Sequence, residues 1–121
     1  GLPTENRFDI LNTSQEISKM ELFSVKLHQL QVYKETELEK IFKRGNFKIE
    51  LFELNEYINL VVDFVERLSP DIYIERFAGE VPPRYLVAPD WGLIRYDQVL
   101  QLIIKRFKQR KTYQARLWEK R

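Results

Sequence analysis

Six residues pair a reactive or ligand-gripping group with a position that could use it: Lys26, His28, Glu75, Arg76, Gly79 and Trp91. His28 is the single histidine and lies in an alternating run, where Phe23, Val25 and Leu27 fall on one face and Lys26 and His28 on the other. An imidazole there can hydrogen-bond a cofactor or shuttle a proton; a hydrogen-bonded structural histidine accounts for the position equally well. Glu75 lies opposite Ile72 and Ile74 in a second alternating run, where a carboxylate needs a partner. Lys26 on a neighbouring strand would supply one, as a structural ion pair or as part of a substrate contact. Arg76, Gly79 and Glu80 follow the end of that run, the place where α/β proteins hold ligands, and a glycine there lets backbone approach closely; a plain turn is the rival reading. Trp91, in Pro89-Asp90-Trp91-Gly92, covers a site or caps the core, and the area a tryptophan buries favours the core.

Composition removes several chemistries. With no cysteine, the chain holds no disulfide, thiolate zinc site, cysteine nucleophile or cysteine-bound iron-sulfur cluster. A single histidine excludes His-rich metal sites and leaves a Ser-His-Asp triad without a nucleophile motif. At 121 residues, 44% hydrophobic and 31% charged, the sequence suits one domain with its own core. No membrane-length apolar run and no secretory leader pattern is visible, so the expected location is cytoplasmic. Charge is uneven: residues 105–121 carry +7 and residues 1–104 carry −5. The basic end could contact RNA, but a solvated helix face explains it more simply, because no helix-turn-helix, glycine-aromatic or zinc pattern accompanies it.

The elements that must position these residues follow from periodicity. A helix is expected from about Glu5 to Met20, with Thr4 as a candidate cap, followed by a strand from Phe23 to Val32. Thr36-Glu37-Leu38-Glu39 matches a capping box, and Gly45 is placed to end that short helix. Residues 46–53 read as a short edge strand or an extended connection. Tyr57, Ile58, Val61, Phe64, Val65 and Leu68 form a broad helical stripe that Ser69-Pro70 stops. A strand over 71–77 and a short apolar run at Leu86-Val87-Ala88 lead to a last helix with Val99, Leu100, Ile103, Ile104 and Phe107 on one stripe, fraying near Thr112. This alternation predicts an α/β fold with βα units and a mostly parallel sheet, too short to close a barrel alone.

Four short stretches carry a resemblance: Gly1-Leu2-Pro3-Thr4-Glu5, Val25-Lys26-Leu27-His28 running to Lys34-Glu35-Thr36, Ile74-Glu75-Arg76-Phe77-Ala78-Gly79-Glu80, and Ala88-Pro89-Asp90-Trp91. In order and spacing they resemble the C-terminal half of a bacterial group of radical SAM iron-sulfur proteins, near the oxygen-independent coproporphyrinogen oxidase-like and MiaB/NifB-like enzymes. Thr4 and Ala78 depart from the glycine and threonine of the family's pattern. The resemblance implies an open, TIM-like (β/α) barrel, of which this chain is a C-terminal fragment lacking the cluster-binding half. It also implies S-adenosylmethionine and an iron-sulfur cluster in the intact protein, and neither held by this fragment alone. Gly1, Leu2, Pro3 and His28 would lie near S-adenosylmethionine; Lys26, Glu75, Arg76, Gly79 and Trp91 would face the substrate. The expected partner is the missing N-terminal half, with a homodimer through exposed strand edges as a further expectation.

Overall fold

In the computed structural model, which describes residues 2–45, 49 and 51–120, the elements run α1 (Arg7–Ser18), β1 (Ser24–Lys26), β2 (Val32–Tyr33), α2 (Glu37–Arg44), α3 (Leu54–Glu66), β3 (Tyr73–Arg76), a 3-10 turn at Pro83–Tyr85, β4 (Leu86–Ala88) and α4 (Tyr96–Arg110). The α/β class and the positions of all four helices follow the sequence reading. The caps show why the helices start where they do. Asn6, not Thr4, caps α1: its side chain accepts from the Asp9 amide at 2.9 Å while Asp9 accepts from the Asn6 amide at 3.0 Å. Thr36 caps α2 by accepting from the Glu39 amide at 3.1 Å, and the Glu39 carboxylate reaches back one residue further than a capping box, to the Glu35 amide at 3.2 Å. That backbone bond, against some desolvation, holds the Glu39 carboxyl below the usual range. Gly45 ends α2 at φ 68°, a left-handed conformation that suits glycine.

Strand pairing departs from a single parallel sheet. β1 and β3 pair in parallel, whereas β2 and β4 form a separate antiparallel pair. The strand expected over 23–32 therefore splits: the chain pairs with β3 as far as Leu27, whose amide donates to the Arg76 carbonyl at 2.8 Å, then leaves to meet β4. β3 is irregular. Val25 pairs with Ile74 and Lys26 with Arg76, which leaves Glu75 as the extra residue of a bulge. In the 46–53 stretch, residues 46–48 and 50 lie outside the described residues, and residues 51–53 form no strand.

α3 is the centre of the packing. Tyr57, Ile58, Val61 and Val65 join Ala78, Val99 and Ile103 in one cluster; Phe64 and Leu68 join Ile72 in another that α1 covers with Ile10, Leu11 and Ile17. The seam between α1 and α3 includes a buried hydroxyl, since Ser14 donates to the Phe64 carbonyl at 2.7 Å. α4 ends at Arg110, close to the expected Thr112, but the segment that follows does not run free. After Lys111 turns at φ 50°, residues 112–118 dock back on α3: the amides of Ala115 and Leu117 donate to the Val65 and Glu66 carbonyls at 3.1 and 2.7 Å. Gln114 bridges to the Ser69 and Ile72 carbonyls, each at 2.8 Å.

Candidate functional site

The parallel pair β1–β3 sets the site, because the chain segments leaving its C-terminal ends bring residues 28–31 against residues 78–80. Two cavities flank this junction. The larger, about 460 Å³, runs along β1 beneath α1 and α3; Ile10, Ile17, Leu60, Val61 and Phe64 form its apolar wall, and Leu2, Lys26, His28 and Gln29 also line it. No residue of β3 lines it, so it opens on the flank of β1 away from its partner strand. The smaller, about 50 Å³, lies between Gln31, Gly79, Glu80, Trp91 and Tyr96.

The residues singled out from sequence thus fall into two groups. Leu2, Lys26 and His28 share the larger cavity, while Gly79 and Trp91 line the smaller. Pro3 lines neither, and Gly1 lies outside the described residues. Glu75 takes the Ser24 hydroxyl as its donor at 3.1 Å in place of the expected Lys26. Its place in the β3 bulge accounts for this: the extra residue shifts the register between Val25 and Lys26, and Lys26 faces Arg76 in the ladder. Arg76 lines neither cavity; it stacks 4.1 Å over the Tyr96 ring and donates to the Ala78 carbonyl at 2.8 Å. Glu80 pairs with Arg95, which raises the Arg95 pKa through the hydrogen bond and charge it supplies. Trp91 takes the core role. Its ring lies 5.3 Å from that of Tyr57, and its indole N–H donates to the Phe52 carbonyl at 2.9 Å. Tyr57 in turn donates to the Phe77 carbonyl at 2.6 Å, and burial, with Tyr96 close by, pushes its hydroxyl pKa up.

Gln29 links the two groups. It is buried, 7% exposed, and lines both cavities. Its amide meets both peptide groups of Gly79, accepting from the N–H at 2.7 Å and donating to the carbonyl at 3.1 Å. Sequence reading missed it because an isolated glutamine reads as surface. Its partner is 50 residues away, and no local pattern announces the pairing.

The basic C-terminal segment is partly consumed within the fold. Arg106 donates to Asn55 at 2.7 Å and also to Asn59; Arg110 reaches Asp63 and Glu66 at 2.6 and 2.8 Å; Arg116 reaches Glu66 at 2.7 Å. Burial alone would raise the Glu66 carboxyl, but the hydrogen bonds from Thr112 and Arg116 and the charges of Arg110 and Arg116 leave it lowered. Lys105, Lys108, Lys111 and Lys120 remain exposed. Among the described residues no helix is long and apolar enough to cross a membrane.

Comparison with known proteins gives these features a context. An uncharacterised protein of Methanocaldococcus jannaschii is 35% identical over 116 residues, 95% of this chain and 35% of the relative. The uncharacterised protein YtqA of Bacillus subtilis is 28% identical over 120 residues, 99% of this chain and 36% of the relative. The chain therefore spans about a third of the length of the curated relatives it matches. Among solved structures, Elp3 of Methanocaldococcus infernus, with an N-terminal deletion, shares the fold at a TM-score of 0.76 and 20% identity, over 94% of this chain and 26% of that one. Residues 23–109, from just before β1 to the last turn of α4, match the Radical_SAM C-terminal domain, and the chain belongs to that family.

Proposed function

We propose that this chain forms the C-terminal wall of a radical SAM enzyme, completing an open (β/α) barrel and contributing to the side that meets S-adenosylmethionine and substrate. The observation that carries the reading is the cavity along β1: it is mostly apolar, is also lined by Lys26, His28 and Gln29, and lies on the side of the parallel pair that has no strand neighbour among the described residues. The strand ladder supports it. Leu27 donates to β3 and Phe23 accepts from β3, so by alternation the peptide groups of Ser24 and Lys26 face the open side, where a further strand would pair. That strand comes, in this reading, from the rest of the same protein, since the relatives are about three times the length of the matched region.

The donor set divides the family's two cofactors. The residues here do not fit an iron-sulfur cluster: cysteine is absent, and the described residues bring no three His, Asp or Glu side chains together. A cluster belongs to the remainder of the protein, and this chain alone is inactive. S-adenosylmethionine fits better, because an apolar wall with an imidazole, an ammonium and an amide beside it suits one flank of a ligand with an aromatic body and polar periphery. Leu2 would pack on it, and His28 and Lys26 would hydrogen-bond its polar groups. When bound, S-adenosylmethionine supplies the radical chemistry for which the family is named.

Equilibrium binding of S-adenosylmethionine to the full-length protein tests this. His28→Ala should weaken binding by about tenfold, the size of one or two lost hydrogen bonds. Lys108→Ala, on the exposed part of α4, should leave it unchanged. Wild-type affinity in His28→Ala would overturn the reading.

A further inference from the structure

Resting on that reading, we infer that Gln29 is the positioning residue for His28, holding the imidazole in the cavity lining by clasping Gly79. Where the β1–β3 ladder ends at Leu27 and Arg76, the strands would be free to separate. Two residues further along the first and three along the second, the Gln29 amide acts as a substitute peptide: it accepts from the Gly79 N–H at 2.7 Å and donates to the Gly79 carbonyl at 3.1 Å. Two bonds to one residue fix orientation as well as distance. They also satisfy peptide groups that would otherwise be left partly buried without a partner.

Gly79 completes the device by being small. A Cβ built there would lie 3.5 Å from His28 Nδ1 and 3.6 Å from Gln29 Oε1, so the imidazole edge and the amide both rest against the glycine face. The nearest atom, Gln31 Oε1 at 2.9 Å, is the end of a flexible side chain that can move aside. The Gln29 side chain is therefore held by both peptide groups of Gly79, and the His28 ring edge lies beside its bare α-carbon. His28 itself is exposed, and its ring stands beside Gly79, so the adjoining clasp of Gln29 on Gly79 sets the glycine face it rests against. No local sequence feature marks Gln29 for this task. Its role comes from the 50-residue separation that the parallel pair closes.

A double-mutant cycle on S-adenosylmethionine affinity in the full-length protein, with thermal melts to verify folding, tests the coupling. Gln29→Ala should weaken binding by about five- to tenfold in the wild-type background and change it little in the His28→Ala background. If the two losses multiply to about a hundredfold, or if Gln29→Ala binds as wild type, Gln29 does not act through His28 and the inference fails. Should Gln29→Ala fail to fold, Gln29→Glu keeps the acceptor for the Gly79 N–H and replaces the donor with a carboxylate oxygen facing the Gly79 carbonyl. It should weaken binding about two- to threefold, again only where His28 is present, and an equal loss in both backgrounds would overturn the inference. If His28→Ala alone leaves affinity unchanged, the reading of the cavity fails; if His28→Ala weakens binding and the cycle shows no coupling, only the role of Gln29 fails.

Discussion

Glu66 shows how much one side chain carries when the chain returns to it from a distance. It is 1% exposed, and Thr112, Arg110 and Arg116 tie the C-terminal segment to α3 through its two oxygens. Its pKa is lowered on folding, so its contribution to stability is fully present above the unfolded value of about 4.3 and is lost as pH falls through the folded one. Glu66→Gln should therefore cost about 1–3 kcal/mol at neutral pH, measured by urea unfolding, and the gap to the wild type should close on acidification below about pH 4. Equal destabilisation at all pH values would assign the effect to packing. Neither Glu66 nor Gln29 was legible as special in the sequence, since each occupies a position whose local pattern says only helix or strand end. Their partners lie 44 to 50 residues away. That Lys26 and His28 stand together was legible because alternation with Phe23, Val25 and Leu27 is local.

At the scale of elements, the helices were readable because a periodic stripe, a cap and a stop signal lie within one short stretch. α2 carries all three, from Thr36 to the left-handed Gly45. The strands were less so. A two- or three-residue strand is decided by its partner, and the run from Phe23 to Val32 contains nothing to show that it serves β3 at one end and β4 at the other. Even within α4 the apolar stripe overstates burial. Ile103 is 1% exposed at the contact with α3, whereas Ile104 is 37% exposed. Ile103→Ala should cost about 2–5 kcal/mol and Ile104→Ala less than about 1 kcal/mol in the same unfolding measurement. Comparable losses would mean that α4 is rotated from the orientation described here.

For the whole molecule, the decisive feature is that, among the described residues, β1 has one paired flank and one open flank, and the open flank holds an apolar cavity. Apolar surface beside unpaired peptide groups is what a sheet presents when its next strand comes from elsewhere in the protein. The sequence indicated too few strands for a closed barrel, which is the expectation the proposal builds on. Amide hydrogen exchange in the full-length protein probes that wall directly. The amides of Ser24 and Lys26, which face the open flank, should exchange as slowly as that of Leu27, which donates to β3. Rapid exchange at Ser24 and Lys26 beside a protected Leu27 would show that no strand closes this side, and would contradict the proposal that the chain completes a barrel.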